Sequence, residues 1–291
     1  MGNFKGYNKE EVSSLKRKKA LIKACLLLSC GIGLIVVACS LGTKSNNSVK
    51  ASDNISSIVD FDNISSEYSY TYDKIKIDFF NVNFVKGNDR LFVKEDALWV
   101  KYPALSSGIE NSGAMINSKL EPSKQYTLEY EVYFDGSGNK FDYQDGGALC
   151  GLAGGEFYDG NTTKVGKEGF HVMLTYNNYG YLYPVIYQAN DAKVGGDVYA
   201  DIGQIKEYAW NKIKMYVRVN DKGQNNGVVR IWHNDKLCFN NEKLRMATSE
   251  LFIDTNNLCA YNNETSKVLD HEQFVYIDSY RIFNSIGINN K

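Results

Sequence analysis

Apolar and polar residues alternate along much of the chain from about Ile75 onward. Leu128, Tyr130, Val132 and Phe134 fall on one side of a run whose other side is Thr127, Glu129, Glu131 and Tyr133. Ile213, Met215, Val217 and Val219 alternate in the same way with Lys214, Tyr216 and Arg218. A period of two marks a strand with one buried and one wet face. Similar runs lie near 91–102, 170–176, 181–188, 228–233 and 275–283. Turn sequences separate them: Asn177-Asn178-Tyr179-Gly180, Asn220-Asp221-Lys222-Gly223 and Asn234-Asp235. No helical period is sustained in this region, apart from a turn near 204–209. The pattern predicts an all-β domain over 75–288, a β-jelly roll or two-sheet antiparallel sandwich.

The hairpin 170–188 carries the most suggestive chemistry. Phe170, Val172, Leu174 and Tyr176 share one face of its first strand, and His171, Met173 and Thr175 share the other. On its second strand Tyr181, Tyr183, Val185 and Tyr187 lie together, opposite Leu182, Pro184, Ile186 and Gln188. The expected arrangement buries the aliphatic set and turns His171, Thr175 and the tyrosines toward an open trough. Pro184 cannot donate to the ladder, so a bulge there would shift this register by one. A tyrosine row suits sugar rings, because the ring face stacks on C–H groups while the hydroxyl bonds to sugar oxygens. Tyrosines that simply pack in a sandwich would give the same pattern.

Upstream the character changes. Residues 1–23 are basic toward their end, with Lys16-Arg17-Lys18-Lys19. Residues 24–42 form an uncharged apolar run, expected as a hydrophobic helix long enough to span a bilayer, which takes ~20 residues. The run is open to two readings, a transmembrane anchor or a lipoprotein signal acylated at Cys39, which ends Val36-Val37-Ala38-Cys39. Either delivers the remainder outside the cytoplasm, attached to a membrane. Residues 43–74, rich in Ser, Asn and Asp, read as a disordered linker.

Composition narrows the partners. Seven of the 33 Lys+Arg and two of the 34 Asp+Glu precede Cys39, so the part beyond it carries 26 basic against 32 acidic residues, a net charge of −6. That balance argues against nucleic acid. Three of the six cysteines fall in the apolar run. Cys150, Cys238 and Cys259 lack metal-ligand spacing, and neither a metal nor a cofactor is expected. A Cys238–Cys259 bridge is one possible pairing. Asp135-Gly136-Ser137-Gly138-Asn139 lacks the later acidic ligand of a calcium loop and reads as a hairpin turn. His233 and His271, near strand ends, read as solvated.

The stretch Asp145-Gly146-Gly147-Ala148-Leu149-Cys150-Gly151-Leu152-Ala153-Gly154-Gly155 has five glycines and lets another chain approach closely. It has no Lys-Ser/Thr and is no phosphate loop. In company with Leu98-Trp99-Val100-Lys101-Tyr102-Pro103, Tyr126 to Phe134, Gly169-Phe170, Gly227 to Trp232, Leu244-Arg245-Met246 and Tyr276-Ile277-Asp278, it resembles, in order over about 91–283, polysaccharide lyase family 14, with the related family 20. The resemblance implies a jelly roll and β-elimination at a uronic acid, in which a carboxylate is neutralised, a base takes the C5 proton and an acid protonates the leaving O4. It also implies a lysine, an arginine and paired tyrosines. Here the lysine position is Ala148, the arginine position Met173, the first tyrosine Val185 and the second Tyr187; the histidine that follows is Gln188, and His171 stands where the family has serine.

Three functions follow as expectations. The first is a lyase with His171 as base, Tyr187 as acid and either Gln188 or an unassigned Arg or Lys holding the carboxylate. The second is a non-catalytic carbohydrate-binding module using Tyr181, Tyr183, Thr175 and Gln188. The third is a surface domain whose partner is a protein. In the first two the partner is a uronic-acid polymer or a neutral glycan.

Overall fold

The computed structural model describes residues 54–62, 67–79, 81–156, 168–188 and 196–284. The basic segment, the apolar run with Cys39 and the start of the linker lie outside them. Among the described residues no helix is long and apolar enough to cross a membrane.

The strands, in chain order, are β1 (Asn54–Val59), β2 (Tyr68–Ser69), β3 (Val82–Lys86), β4 (Leu91–Lys94), β5 (Ala97–Tyr102), β6 (Ala114–Ser123), β7 (Gln125–Asp135) and β8 (Gly147–Gly155), then β9 (Gly169–Tyr176), β10 (Leu182–Tyr187), β11 (Asp197–Val198), β12 (Asn211–Arg218), β13 (Gly227–His233), β14 (Lys236–Leu244), β15 (Ile253–Asn262) and β16 (Gln273–Asn284). Among the described residues two short α-helices, α1 (Tyr72–Asp78) and α2 (Gly108–Asn111), interrupt them. One sheet runs β14-β13-β12-β7-β16-β5-β4-β2, with β1 also on β16; the other runs β11-β10-β9-β8-β15-β6-β3. Every described pairing of named strands is antiparallel. This is the two-sheet sandwich that the alternation predicts.

The core lies between the sheets. Leu128, Tyr130, Val132 and Phe134 of β7, with Ile213, Met215 and Val217 of β12, are buried from one side; Phe170, Val172, Leu174 and Tyr176 of β9 are buried from the other. Burying a side chain of this size contributes about 1.5–3 kcal/mol. The outer face of the larger sheet carries an aromatic ladder. Trp99 stacks on Tyr276 at 4.2 Å, and Tyr276 on Tyr133 at 5.6 Å. Lys94 lies over the Trp99 ring. Such cross-strand pairs stabilise a sheet and cover one another's ring faces.

Several expectations are corrected. Segment 54–74 is not all linker: β1 pairs with β16, β2 pairs with β4, and α1 begins at Tyr72, capped by the Thr71 hydroxyl. Cys150, Cys238 and Cys259 are all free thiols, Cys238 being on β14 of one sheet and Cys259 on β15 of the other. His233 is buried rather than solvated, with Nε2 at 3.1 Å from the Asn211 side-chain oxygen. Pro184 causes no register shift; it pairs with Leu174 in an unbroken β9–β10 ladder.

Candidate saccharide groove

Alternation on β9 sends Phe170, Val172 and Leu174 into the core and His171, Met173 and Thr175 to the opposite face of the smaller sheet. The β10 register places Tyr183 beside Thr175, Val185 beside Met173 and Tyr187 beside His171. On the other flank, β8 brings Ala148 level with Thr175, and β15 brings Tyr261 level with Ala148. Four strands thus carry one face of mixed phenols and apolar groups. It lines a groove of about 450 Å³, together with Asp145, Tyr176, Asn177, Val198 and Asn263. That volume lies within the usual range for ligand sites, about 300–1,000 Å³.

The floor is apolar. Ala148, Met173 and Val185 form a buried cluster of their own, with Tyr187 and Tyr261 packed against it. These are the positions at which the resemblance implied lysine, arginine and the first tyrosine. The three replacements touch one another and make a single surface. No lysine or arginine lines the groove among the described residues.

Tyr187 is the best-placed phenol. Its ring stacks against the His171 imidazole, with centroids 6.1 Å apart and planes 16° apart. Gly196, at a positive φ of 72°, lies against the same ring; a Cβ there would stand 3.1 Å from Tyr187 Cδ1. Tyr183 accepts a hydrogen bond from the Asn177 amide at 3.0 Å, and Thr175 Oγ1 donates to the Tyr183 carbonyl at 3.2 Å. The glycine stretch lets neighbouring groups approach closely. Gly147 lies so close to the Tyr176 hydroxyl that a Cβ would come within 2.3 Å.

The sequence-derived candidates separate. Tyr187, Tyr183 and Thr175 line the groove. His171 shares their face but is buried and does not line it. Burial pushes its pKa down to about 4, so it is neutral near pH 7. Its Nε2 lies 3.5 Å from the Asn257 amide nitrogen. Gln188 is buried and turned away: its amide donates to Asp197 at 2.6 Å and to the Tyr199 hydroxyl at 3.1 Å. It therefore tethers β11 and is not a groove residue. Tyr181 is exposed, bridges to Gln204 and does not line the groove. Tyr261, Asp145 and Asn263 were missed, because only the β8–β15 pairing brings them to this face.

Asp145 and Asn263 close one end. The Asp145 carboxylate accepts from Thr265 Oγ1 at 2.5 Å and from Lys267 Nζ at 3.0 Å. These bonds hold its pKa below the ordinary carboxylate value, Thr265 contributing most. Among the described residues no cluster of His, Cys, Asp or Glu could hold a metal ion.

The fold is thus a two-sheet antiparallel β-sandwich with an aromatic-lined groove on one outer face. The chain belongs to polysaccharide lyase family 14, whose family model matches residues 93–258. No curated protein sequence matches it. Its fold is similar to a variant of alginate lyase Aly36B, with a lysine and a tyrosine replaced by alanine, in complex with an alginate tetrasaccharide: TM-score 0.67, 19% identity, covering 82% of this chain and 100% of that one. It is also similar to the marine family 14 alginate lyase from Aplysia kurodai, with TM-score 0.64, 18% identity and coverage of 79% and 99%. A third similar structure is alginate lyase vAL-1 from Chlorella virus, with TM-score 0.56, 17% identity and coverage of 70% and 92%.

Proposed function

We propose that this domain binds a polysaccharide chain in the groove on its smaller sheet, outside the cytoplasm, where residues 24–42 or a lipid on Cys39 hold it to a membrane. Tyr183, Tyr187 and Tyr261 supply the ring faces and hydroxyls. The observation that carries this reading is the groove floor: Ala148, Met173 and Val185 pack as one apolar cluster beneath Tyr187 and Tyr261. β-Elimination needs a positive or strongly hydrogen-bonding group at the uronate carboxylate, together with a base and an acid. The groove offers a phenol for the acid, an apolar floor at the other family positions and a neutral, buried imidazole. The domain is therefore read as a carbohydrate-binding member of a lyase family.

A second reading, residual lyase activity, has one observation in its favour. Tyr187 keeps the place of the family's second tyrosine and is held by ring stacking. The alginate-bound Aly36B variants carry alanine in place of a lysine and a tyrosine in one case, and in place of a lysine and a methionine in the other. That methionine and that tyrosine are separated by the same interval as Met173 and Tyr187.

One experiment separates the two. The full-length protein is incubated with alginate and with glucuronan while ultraviolet absorbance is followed, and binding to the same polymers and to neutral glycans is measured by affinity electrophoresis. Binding without any rise in absorbance is expected. A rise that Tyr187→Phe abolishes would establish the lyase; absence of both binding and absorbance would leave the third reading, a protein partner.

A further inference from the structure

Asp145 is the charged residue among the described residues that line the groove. Its side chain is 41% exposed, and the Lys267 side chain that meets it is 72% exposed. The backbone on both sides is pinned. The Asn263 amide donates to the Asp145 carbonyl at 2.9 Å, and the Asn263 N–H donates to the Gly146 carbonyl at 2.8 Å. Ser107 Oγ in turn donates to the Thr265 carbonyl at 2.9 Å, which fixes the loop bearing Thr265 and Lys267. The carboxylate is therefore held at the groove's end by contacts from two loops.

Its chemistry sorts ligands by charge. A carboxylate offers about four lone-pair sites. Thr265 and Lys267 take one each, which leaves capacity for sugar hydroxyls. A uronate carboxylate arriving at the same place would meet a like charge, and like charges in contact are disfavoured. The neighbouring cation is already engaged by Asp145. From this arrangement we infer that Asp145 is a specificity-determining residue: it accepts hydroxyl hydrogen bonds from a neutral glycan and turns uronic-acid chains away, with Lys267 and Thr265 as the residues that position it. This inference rests on the groove being a saccharide site and names the ligand class that site takes.

The test compares affinities of the full-length protein for cellohexaose, laminarihexaose and a mannuronate hexasaccharide by calorimetry. The wild type is expected to bind at least one neutral hexasaccharide more tightly than the mannuronate. Asp145→Asn, which keeps the shape and removes the charge, is expected to tighten mannuronate binding at least fivefold and to shift the neutral-to-acidic ratio accordingly. Glu242→Gln, which removes a carboxylate paired with Arg230 on the other sheet, is expected to leave that ratio within twofold of wild type. If Asp145→Asn leaves the ratio unchanged while Tyr187→Ala abolishes binding, the charge filter is wrong and the groove stands. Tighter binding of mannuronate than of both neutral ligands by the wild type has the same meaning. If the wild type binds none of the three, the groove reading and the filter both fail.

Discussion

Tyr187 and His171 are cross-strand partners whose rings stack 6.1 Å apart on the groove face of the smaller sheet, one lining the groove and the other buried. The pair links function to stability, because the fold keeps the imidazole neutral. Burial lowers the His171 pKa to about 4, against an unfolded value of about 6.5. Between those limits the unfolded chain binds a proton that the folded chain refuses. Stability is then complete above about pH 6.5 and falls as the pH drops toward 4, by about 3 kcal/mol in all. Urea midpoints of wild type and His171→Gln, measured from pH 7 to 4, are expected to converge as the pH falls. Buried His233 is shifted in the same direction and is present in both proteins, so it cancels in the comparison. Parallel curves would mean that His171 is solvated.

Gly196 makes a second prediction about the same phenol. It combines a positive φ of 72° with a Cβ position 3.1 Å from the Tyr187 ring. Gly196→Ala therefore strains the backbone and pushes the ring, while deleting no groove side chain. Glycan affinity is expected to fall at least fivefold, approaching the loss in Tyr187→Ala, which removes a stacking face and a hydroxyl together and costs at least tenfold, or about 1.4 kcal/mol. Tyr187→Phe keeps the face and is expected to lose less. Calorimetric titration with the tightest-binding hexasaccharide reads all three. Equal affinities across the series would place the ligand elsewhere.

How much of this was legible depends on where the information sat. β7, β9 and β12 have clean alternation, so their faces could be assigned from sequence, and Tyr183, Thr175 and Tyr187 followed from that. β15 hides itself. Its run Ile253-Asp254-Thr255-Asn256-Asn257 is mostly polar, yet Asn256 is buried, donating to Ser118 and accepting from the Tyr280 hydroxyl at 2.5 Å. A strand whose buried side chains are amides has no hydrophobic period, and Tyr261 disappeared with it. Gln188 failed differently. Its place on the non-groove face was readable, but its role came from the family's histidine at that position, and the amide instead ties down Asp197. The compensation among Ala148, Met173 and Val185 required the β8–β9–β10 register, which joins residues far apart in the chain.

The thiols offer a chemical check on the sheet assignment. Cys150 and Cys259 are fully buried, and burial raises both pKa values, that of Cys150 to about 12. The thiolate is the reactive form, so both are inert in the folded protein. Cys238 on edge strand β14 is partly exposed. Brief alkylation of the native protein followed by peptide mapping is expected to label Cys238 and to spare Cys150 and Cys259, with all three labelled in denaturant. Native labelling of Cys259 would contradict the burial of β15.

Arg90 bears on how the fold holds together beneath α2. It ends a 3-10 turn over Asn88–Arg90 and is buried, with 8% of its surface exposed. Its guanidinium donates to three backbone carbonyls: Nε to Gly113 at 2.6 Å, Nη1 to Glu110 at 3.1 Å and Nη2 to Ile109 at 3.0 Å. These carbonyls lie in and just after α2, a helix too short to satisfy its own C-terminal groups. Hydrogen bonds to a charged group contribute about 1.5–3 kcal/mol each, and removing the donor leaves the acceptors unpaired. Such losses are not additive, so Arg90→Ala is expected to cost about 3–5 kcal/mol, a large share of the roughly 5–15 kcal/mol that an ordinary domain has. Arg90→Lys supplies charge without the planar fork and is expected to recover less than half of that. Urea denaturation followed by tryptophan fluorescence measures both. If Arg90→Ala shifts stability by less than 1 kcal/mol, water replaces the guanidinium at these carbonyls and the segment 109–113 is held by β15 and β5 alone.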